Sequence, residues 1–371
     1  MPRRKSIVKN NRRISPVISP GLIDIHFHGA FGIDLMRAGP EELDMLASKL
    51  WKQGVAAFCP TTLSAPLEVL VPTLERLGSW IHSTRSTRSA IPLGIHLEGP
   101  FINPHSAGAH PPKAIQPLSL QALETLWMAS HKTLKIITLA PETQDKAALL
   151  QVARWARRNK IILSLGHSQA TEAQARLAFD CGVTGVTHAW NALSFHQRAP
   201  GVLGAALSRK DVYIEIIADR VHVSPTLIRW TCQLHCTGSG SRARQNPICF
   251  VSDCAPSAAT RRGTWHSFGP LRAQLSSEMG GSRLPDGSLA GGGLLLPEAF
   301  RLWFENELTV SPALSAAKAR KLLSETLAFV TRFQLKVLGI SPAALKNRRL
   351  SWRLSQKPGG RFRLTWQHNP G

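Results

Sequence analysis

Two histidines one residue apart close the first apolar run of the chain, in the stretch GLIDIHFHGA at residues 21–30. Side chains of an extended strand alternate between its two faces, so His26 and His28 point in the same direction, with Asp24 beside them. Imidazole and carboxylate groups that converge at one strand end are suitable donors for a divalent metal. Whether the pair marks a metal site depends on which residue types come after the other apolar runs.

Metal-capable side chains accompany several of the later apolar runs in the same relative place. Glu98 and His167 follow two of these runs, and His188 and Asp253 follow two others. One polar residue at a strand end is usually structural. A set of them is hard to explain by packing, because buried polar groups are costly without partners. We therefore interpret them as parts of one metal site.

The elements that must position these residues are eight short apolar runs separated by helix-like segments. The runs are rich in Val, Ile and Leu without strict alternation, which is typical of strands buried on both faces. Eight such units in series predict an α/β fold, a (β/α)8 barrel with its chemistry at the C-terminal ends of the strands. The predicted strands span residues 22–27, 55–59, 93–97, 134–139, 161–165, 183–187, 212–218 and 248–251.

The strand-end side chains divide into a main metal site and a neighbouring pair. The main site would comprise Glu98, His167 and His188. Three protein ligands leave a coordination position open for water, as a hydrolytic metal needs. His26 and His28 could hold a second metal nearby, and Asp253 would accept a proton from water. Neutral imidazoles with a carboxylate suit Zn²⁺ or Fe²⁺.

The positive charge of the chain is concentrated at its two ends. The 371 residues carry a formal net charge of +22, with six Lys or Arg in residues 1–13 and seven in residues 346–371, and no acid in either segment. Basic ends can bind nucleic acid, but a basic proteome or a solvated tail is the favoured explanation, so we expect no nucleic-acid partner. The chain lacks an apolar run of ~20 residues, so no membrane association is expected. Six scattered cysteines favour the reducing cytoplasm.

The region after Asp253 departs from the repeating pattern. Residues 256–293 are rich in Gly, Ser and Pro, and no strand is predicted there; the glycines at 291–293 would let the backbone approach a ligand closely. The tail alternates apolar and basic residues and predicts a β-hairpin, which would share a sheet with a strand at 14–18. Its apolar face would comprise Trp352, Leu354, Phe362, Leu364 and Trp366. The predicted organisation is a basic arm at 1–19 belonging to a small β-domain, a barrel at 20–340, and a basic C-terminal hairpin at 341–371 as the remnant of that small domain.

Seven ordered motifs give the chain a family resemblance between about residue 20 and residue 335. The motifs are PGLIDIHFHG (20–29), GIHLEGPFINPHSAGAH (94–110), TLAPE (138–142), GHSQAT (166–171), THAWNALS (187–194), IIADRVHV (216–223) and SDCAP (252–256). Together they resemble the N-acetylglucosamine-6-phosphate deacetylase family of the amidohydrolase superfamily. The segment HLEGPF and the order of the set are specific, whereas a lone HxH would not be.

The resemblance implies a reaction and a role for each matching residue. The expected reaction is hydrolysis of the acetamide of N-acetyl-D-glucosamine 6-phosphate to D-glucosamine 6-phosphate and acetate, with Asp253 as general base and then acid. The expected metal ligands are Glu98, His167 and His188, with His26 and His28 for an optional second ion. The expected contacts to the sugar phosphate are Ala109, His110, Asn191, Ala192, Arg198, His222, Leu289, Ala290 and Gly291. A homodimer is a further expectation of the resemblance.

Two alternatives stay open at this point. The family usually has Gly where this chain has Arg220, so another N-acylated amino sugar phosphate, such as N-acetylgalactosamine 6-phosphate, could be the substrate. A non-catalytic barrel whose basic ends bind an anionic partner is the other alternative. Such a protein would be expected to have lost a ligand or the base, and this chain has lost none.

Overall fold

Eight parallel strands curl into a nearly closed barrel, hydrogen-bonded in chain order from the first to the eighth. The computed structural model describes residues 14–84, 87–236, 247–276, 281–310, 314–356 and 361–369. The barrel strands are Leu22–Phe27, Val55–Thr62, Ile95–Glu98, Leu134–Leu139, Ile162–Leu165, Gly185–Val186, Tyr213–Ile217 and Ile248–Val251. Just past the strands, the Asp253 N–H donates to the His26 carbonyl and the His28 N–H donates to the Cys254 carbonyl, both at 3.0 Å. The predicted barrel is confirmed.

Helices cover the outside of the barrel, one after each strand. Lys146–Arg158 illustrates why they form: the Asp145 side chain accepts from the Ala148 N–H at 2.7 Å and so caps the first turn. Its buried face includes Leu149, Val152 and Ala156, spaced three and four residues apart as one face of a helix requires. The α-helices are Pro40–Lys52, Leu67–Ser83, Leu120–Ala129, Lys146–Arg158, Glu172–Cys181, Gly201–Leu207, Pro225–Cys236, Leu296–Val310, Ala316–Thr326 and Arg332–Leu338. Short 3-10 turns are Pro104–Ser106, Pro112–Ala114, Pro141–Thr143, Leu327–Val330 and Pro342–Leu345.

Some strand boundaries differ from the predicted ones. The third strand begins at Ile95 after a separate short strand, Ile91–Pro92, and it extends through Glu98. The sixth strand is only Gly185–Val186. Its flanking residues still bond to the fifth strand, the Thr184 N–H to the Leu163 carbonyl at 3.0 Å and the Thr187 N–H to the Leu165 carbonyl at 2.9 Å.

Residues after the eighth strand form an antiparallel sheet that the sequence did not reveal. Its strands are Trp265–Phe268, Leu271–Leu275, Ser282–Arg283 and Leu289–Gly291. Gly269, with a φ of +56°, lies between the first two strands. Phe268 and Ala273 are buried, so this sheet packs against the molecule rather than projecting as a loop. A second small hairpin pairs Gly29–Ala30 with Ile33–Asp34.

The two ends of the chain meet in a three-stranded antiparallel sheet. Val17–Pro20 pairs with Arg349–Gln356, which pairs with Phe362–Asn369. Trp352 lies opposite Trp366 and Leu354 opposite Leu364, as the predicted hairpin requires. The N-terminal strand lies at 17–20 instead of 14–18, and residues 1–13 of the predicted arm lie outside the described residues. Within the described residues, no helix is long and apolar enough to cross a membrane.

Candidate active site

A cavity of about 530 Å³ opens at the C-terminal ends of the barrel strands. Most of the predicted site residues line it: His28, Glu98, Ala109, His110, His167, His188, Asn191, Ala192, His222, Asp253, Leu289, Ala290 and Gly291. His26 is fully buried beside its wall. Arg198 does not line the wall; it is exposed, and its backbone N–H donates to His196 Nδ1 at 3.2 Å.

The main predicted ligands converge on one carboxylate oxygen. Glu98 Oε1 lies 3.1 Å from His167 Nε2 and 2.9 Å from His188 Nε2. The two imidazole nitrogens are 3.0 Å apart. Ligands around a tetrahedral zinc ion at ~2.0 Å lie roughly 3.3 Å from one another, so this spacing is close to that of a zinc site.

The remaining ligands form a second group on the other oxygen of the same carboxylate. Glu98 Oε2 lies 3.4 Å from His26 Nε2 and 3.1 Å from His28 Nε2. Asp253 Oδ1 is 3.4 Å and 3.2 Å from the same two nitrogens. His26, His28 and Asp253 therefore make a metal-capable group of their own, and the carboxylate of Glu98 lies between the two groups.

Hydrogen bonds on the far side of two rings prepare them to bind a metal. His167 Nδ1 lies 2.8 Å from the Ser106 carbonyl oxygen, and His26 Nδ1 lies 3.1 Å from Glu215 Oε2. Both partners are acceptors, so in the neutral ring the proton is on Nδ1 and the Nε2 lone pair faces the site. This tautomer is the one a metal requires at Nε2. The donor set therefore fits a divalent cation.

Electrostatics in the site also favour a cation. Burial opposes ionisation of Glu98, but the histidines around it outweigh burial and hold the pKa of that carboxyl well below its usual range. The same balance lowers the pKa of Asp253 to about 2. Burial acts against the charged form of His26 and His28, but the two carboxylates outweigh it and raise the pKa of both rings. Two buried carboxylates thus draw positive charge into the site.

Three site residues adopt a left-handed backbone where the chain leaves a strand. The φ angles are +48° at His167, +28° at His188 and +49° at Asp253. Residues other than glycine avoid this region, at a cost of order 1–3 kcal/mol each, and such strain concentrates at functional sites. The sharp turn directs each side chain into the barrel mouth instead of along the strand.

The glycine run at 291–293 allows a close approach, and the partner is protein backbone. The Gly292 N–H donates to the Asp253 carbonyl, and a Cβ on Gly292 would lie 2.1 Å from the Ser252 carbonyl oxygen. The run thus holds the end of the eighth strand, which carries Asp253. Gly291 lines the cavity, and a Cβ there would lie 2.6 Å from the Asp253 carbonyl oxygen, so its approach to a ligand stays a prediction.

Two further histidines have ring positions set by their neighbours. His110 Nδ1 accepts from the Ser64 N–H at 3.0 Å, so in the neutral ring its Nε2–H donates to Glu98 Oε2 at 3.1 Å. Burial lowers the pKa of His110 to about 4, consistent with a neutral donor. His222 Nδ1 lies 2.8 Å from Asp219 Oδ2. Burial disfavours its charge, but Asp219 outweighs burial and the pKa of His222 is raised.

Sequence reasoning missed several residues of the site. The additional wall residues are Leu63, His105, Ser106, Ala107, Gly108, Gln169, Leu193, Ser194 and Phe268. Glu142, at the end of the motif TLAPE, anchors two loops of the wall without lining the cavity. Glu215 was also missed, although an acid inside an apolar strand is a signal that could have identified it.

Comparisons with known proteins agree with this architecture. Residues 17–254 match the amidohydrolase family. An N-acetylgalactosamine-6-phosphate deacetylase from Escherichia coli O157:H7 is 34% identical over 295 residues, which are 79% of this chain and 74% of that protein. An N-acetylglucosamine-6-phosphate deacetylase from Bacillus subtilis is 33% identical over 287 residues, 77% of this chain and 69% of that protein.

Solved structures show the same fold. The N-acetylglucosamine-6-phosphate deacetylase of Thermotoga maritima superposes with a TM-score of 0.72 at 27% identity, covering 94% of this chain and 88% of that one. A Mycobacterium smegmatis enzyme of that name, a mutant in complex with N-acetyl-D-glucosamine-6-phosphate, has a TM-score of 0.76 at 22% identity, covering 94% and 84%. The latter similarity concerns the fold alone. With its barrel, its strand-end ligands and these similarities, the chain belongs to the amidohydrolase family.

Proposed function

We propose that this protein removes the acetyl group of N-acetyl-D-glucosamine 6-phosphate, giving D-glucosamine 6-phosphate and acetate. The observation that carries the proposal is the convergence of Glu98, His167 and His188 in a cavity that also presents Asp253. Similarity to two amino sugar phosphate deacetylases over most of the chain supports the substrate class.

The metal would be held mainly by Glu98, His167 and His188, with Zn²⁺ or Fe²⁺ as the expected ion. When bound, such an ion polarises the acetamide carbonyl and lowers the pKa of water toward neutrality. Asp253 would take the proton of the attacking water and later deliver it to the leaving amine. His222, held by Asp219, faces the developing oxyanion as a donor.

The phosphate end of the substrate would lie toward the loop that carries Asn191, Ala192 and Arg198. Asn191 and Ala192 line the cavity, and Arg198 is exposed farther along the same loop. No lysine or arginine belongs to the cavity wall in the described part of the chain. We infer that Arg198 supplies the guanidinium for the phosphate oxygens when the substrate is bound. A cytoplasmic homodimer, as the resemblance implies, belongs to the same proposal.

The experiment is acetate release from N-acetyl-D-glucosamine 6-phosphate by purified protein reconstituted with Zn²⁺ or Fe²⁺. Asp253→Asn should lower turnover at least about 100-fold because the general base is lost. Asp286→Asn is the matched control, since Asp286 is exposed and does not line the cavity. Absence of turnover from folded, metal-loaded protein would reject the proposal.

A second substrate is favoured by one observation. The 34% identity to an N-acetylgalactosamine-6-phosphate deacetylase makes the C4 epimer a candidate. Assaying both epimers at equal concentration decides between them by kcat/KM. If neither is hydrolysed and the protein instead binds DNA with steep salt dependence, lost on removing residues 1–13 and replacing the exposed Lys346, Arg349 and Arg353 by Gln, the non-catalytic alternative is correct.

A further inference from the structure

Glu215 is a buried acid in the middle of the seventh barrel strand, Tyr213–Ile217. It is fully buried and shares a strand face with Tyr213 and Ile217, which pack in an apolar cluster with Ile25 and Cys249. Burial of a carboxylate among such side chains is costly unless a specific partner compensates. The contacts of the Glu215 carboxylate therefore indicate its role.

The partner of Glu215 is a residue at the mouth of the barrel. Its Oε2 lies 3.1 Å from Nδ1 of His26 on the first strand, and only the eighth strand lies between these two strands. The same oxygen is 3.4 Å from the backbone N of His188. Its other oxygen, Oε1, has no hydrogen-bond partner among the described residues. The ring of His26 is thus the main contact of this carboxylate.

His26, His96 and Glu215 are close enough together to suggest a metal site of their own. His96 argues against that interpretation. Its Nδ1 lies 3.0 Å from the Ile25 carbonyl oxygen, so Nδ1 donates, and its Nε2 accepts from Thr138 Oγ1 at 2.8 Å. No lone pair remains on His96 for a cation. The three residues form a hydrogen-bonded support behind the site.

We propose that Glu215 is the positioning residue that makes His26 a metal ligand, and that it thereby sets occupancy of the second metal position. By accepting the Nδ1–H, Glu215 holds the ring in the tautomer whose Nε2 lone pair faces His28 and Asp253. Removing such an outer partner typically weakens metal binding 10- to 100-fold. The inference rests on the metal-dependent function proposed above.

The test is the amount of zinc retained per chain after reconstitution with excess Zn²⁺ and gel filtration, with affinities from chelator competition. We expect two zinc ions in the wild type and one in Glu215→Leu, as in His26→Ala. Glu215→Gln keeps an amide oxygen that accepts from Nδ1–H, so it should retain the second ion with about 10- to 100-fold weaker binding. Tyr213→Phe is the control, because it removes a buried polar atom from the same strand face without touching a histidine.

Two results would overturn the inference. One is wild-type affinity for the second zinc in Glu215→Leu or, if that variant does not fold by circular dichroism, in Glu215→Gln. The other is a single zinc per wild-type chain that neither His26→Ala nor Glu215→Leu affects. Acetate release is not part of this readout. A protein with the expected zinc pattern and no deacetylation would therefore support the inference while rejecting the proposed reaction.

Discussion

At the scale of single residues, the pair formed by His222 and Asp219 should control how activity depends on pH. His222 binds Asp219 through Nδ1, so its Nε2 can donate to a substrate oxygen only when the ring is protonated. Activity that needs this proton is lost as pH rises through the pKa of His222. Asp219 raises that pKa and so extends activity to higher pH.

Asp219→Asn should therefore remove the part of the basic limb of the kcat/KM profile that His222 causes. Its side-chain oxygen would still accept from the backbone N–H groups of Val221 and His222, so its amide nitrogen would face Nδ1 of His222 and donate to it. The neutral ring would then carry its proton on Nε2 and donate at high pH, so we expect kcat/KM to be lower than in the wild type but to fall less between about pH 6 and 9, because a neutral imidazole is a weaker donor than an imidazolium. A pH–rate profile from about pH 5 to 9 measures this. An unchanged basic limb would show that the proton on His222 is not used.

At the scale of elements, Glu142 ties together the loops that follow three strands. It lies in the turn Pro141–Thr143 after the fourth strand. Its carboxylate accepts from Asn103 Nδ2 at 2.7 Å, from Ser168 Oγ at 2.7 Å and from the Gln169 N–H at 2.6 Å. The donors belong to the loops after the third and fifth strands, which also carry wall residues of the cavity. One side chain thus aligns neighbouring parts of the wall.

Glu142→Ala should lower the free energy of unfolding by about 2–4 kcal/mol, because several hydrogen bonds to a charged group are lost together. The loosened loops should also raise KM for the sugar phosphate. Urea unfolding and steady-state kinetics measure the two effects. Glu124→Ala, an exposed position on Leu120–Ala129, serves as the control and should change neither. If Glu142→Ala and Glu124→Ala had the same free energy of unfolding and the same KM, Glu142 would not anchor the loops.

Elements also show where sequence reasoning succeeds and where it stops. The barrel was predictable because each strand is an apolar run, and several runs carry a metal-capable side chain at or just past their end, as in 161–165 followed by His167. The sheet from Trp265 to Gly291 was not, since its strands are two to five residues long and lie among Gly and Ser. Arg198 was placed by motif alone, and the conformation of its loop carries it away from the wall. The contact between Glu215 and His26 could not be predicted from the sequence, because it forms only when the first and seventh strands come close together in the barrel.

At the scale of the whole molecule, the sheet formed by the two chain ends belongs energetically to the barrel. Trp352 is fully buried, and its ring centroid lies 5.6 Å from that of Phe300 in the helix Leu296–Val310. Its Nε1–H donates to Ser19 Oγ at 2.9 Å, which links the hairpin to the N-terminal strand. Trp352 and Phe300 belong to the same hydrophobic cluster as the barrel residue Leu22. We therefore expect the sheet and the barrel to unfold together.

Trp352→Ala should lower the free energy of unfolding by about 3–5 kcal/mol, the usual cost of removing a large buried aromatic side chain. Because the core is continuous, the loss should appear as one cooperative transition moved to lower urea, followed by both tryptophan fluorescence and far-UV circular dichroism. Arg353→Ala is the matched control on the exposed face of the same strand and should leave the midpoint unchanged. A separate early transition in Trp352→Ala, with the barrel midpoint unmoved, would show instead that the terminal sheet is an independent unit. In that case the chain ends would be a small domain attached to the barrel, and the basic segments could be removed without destabilising the barrel.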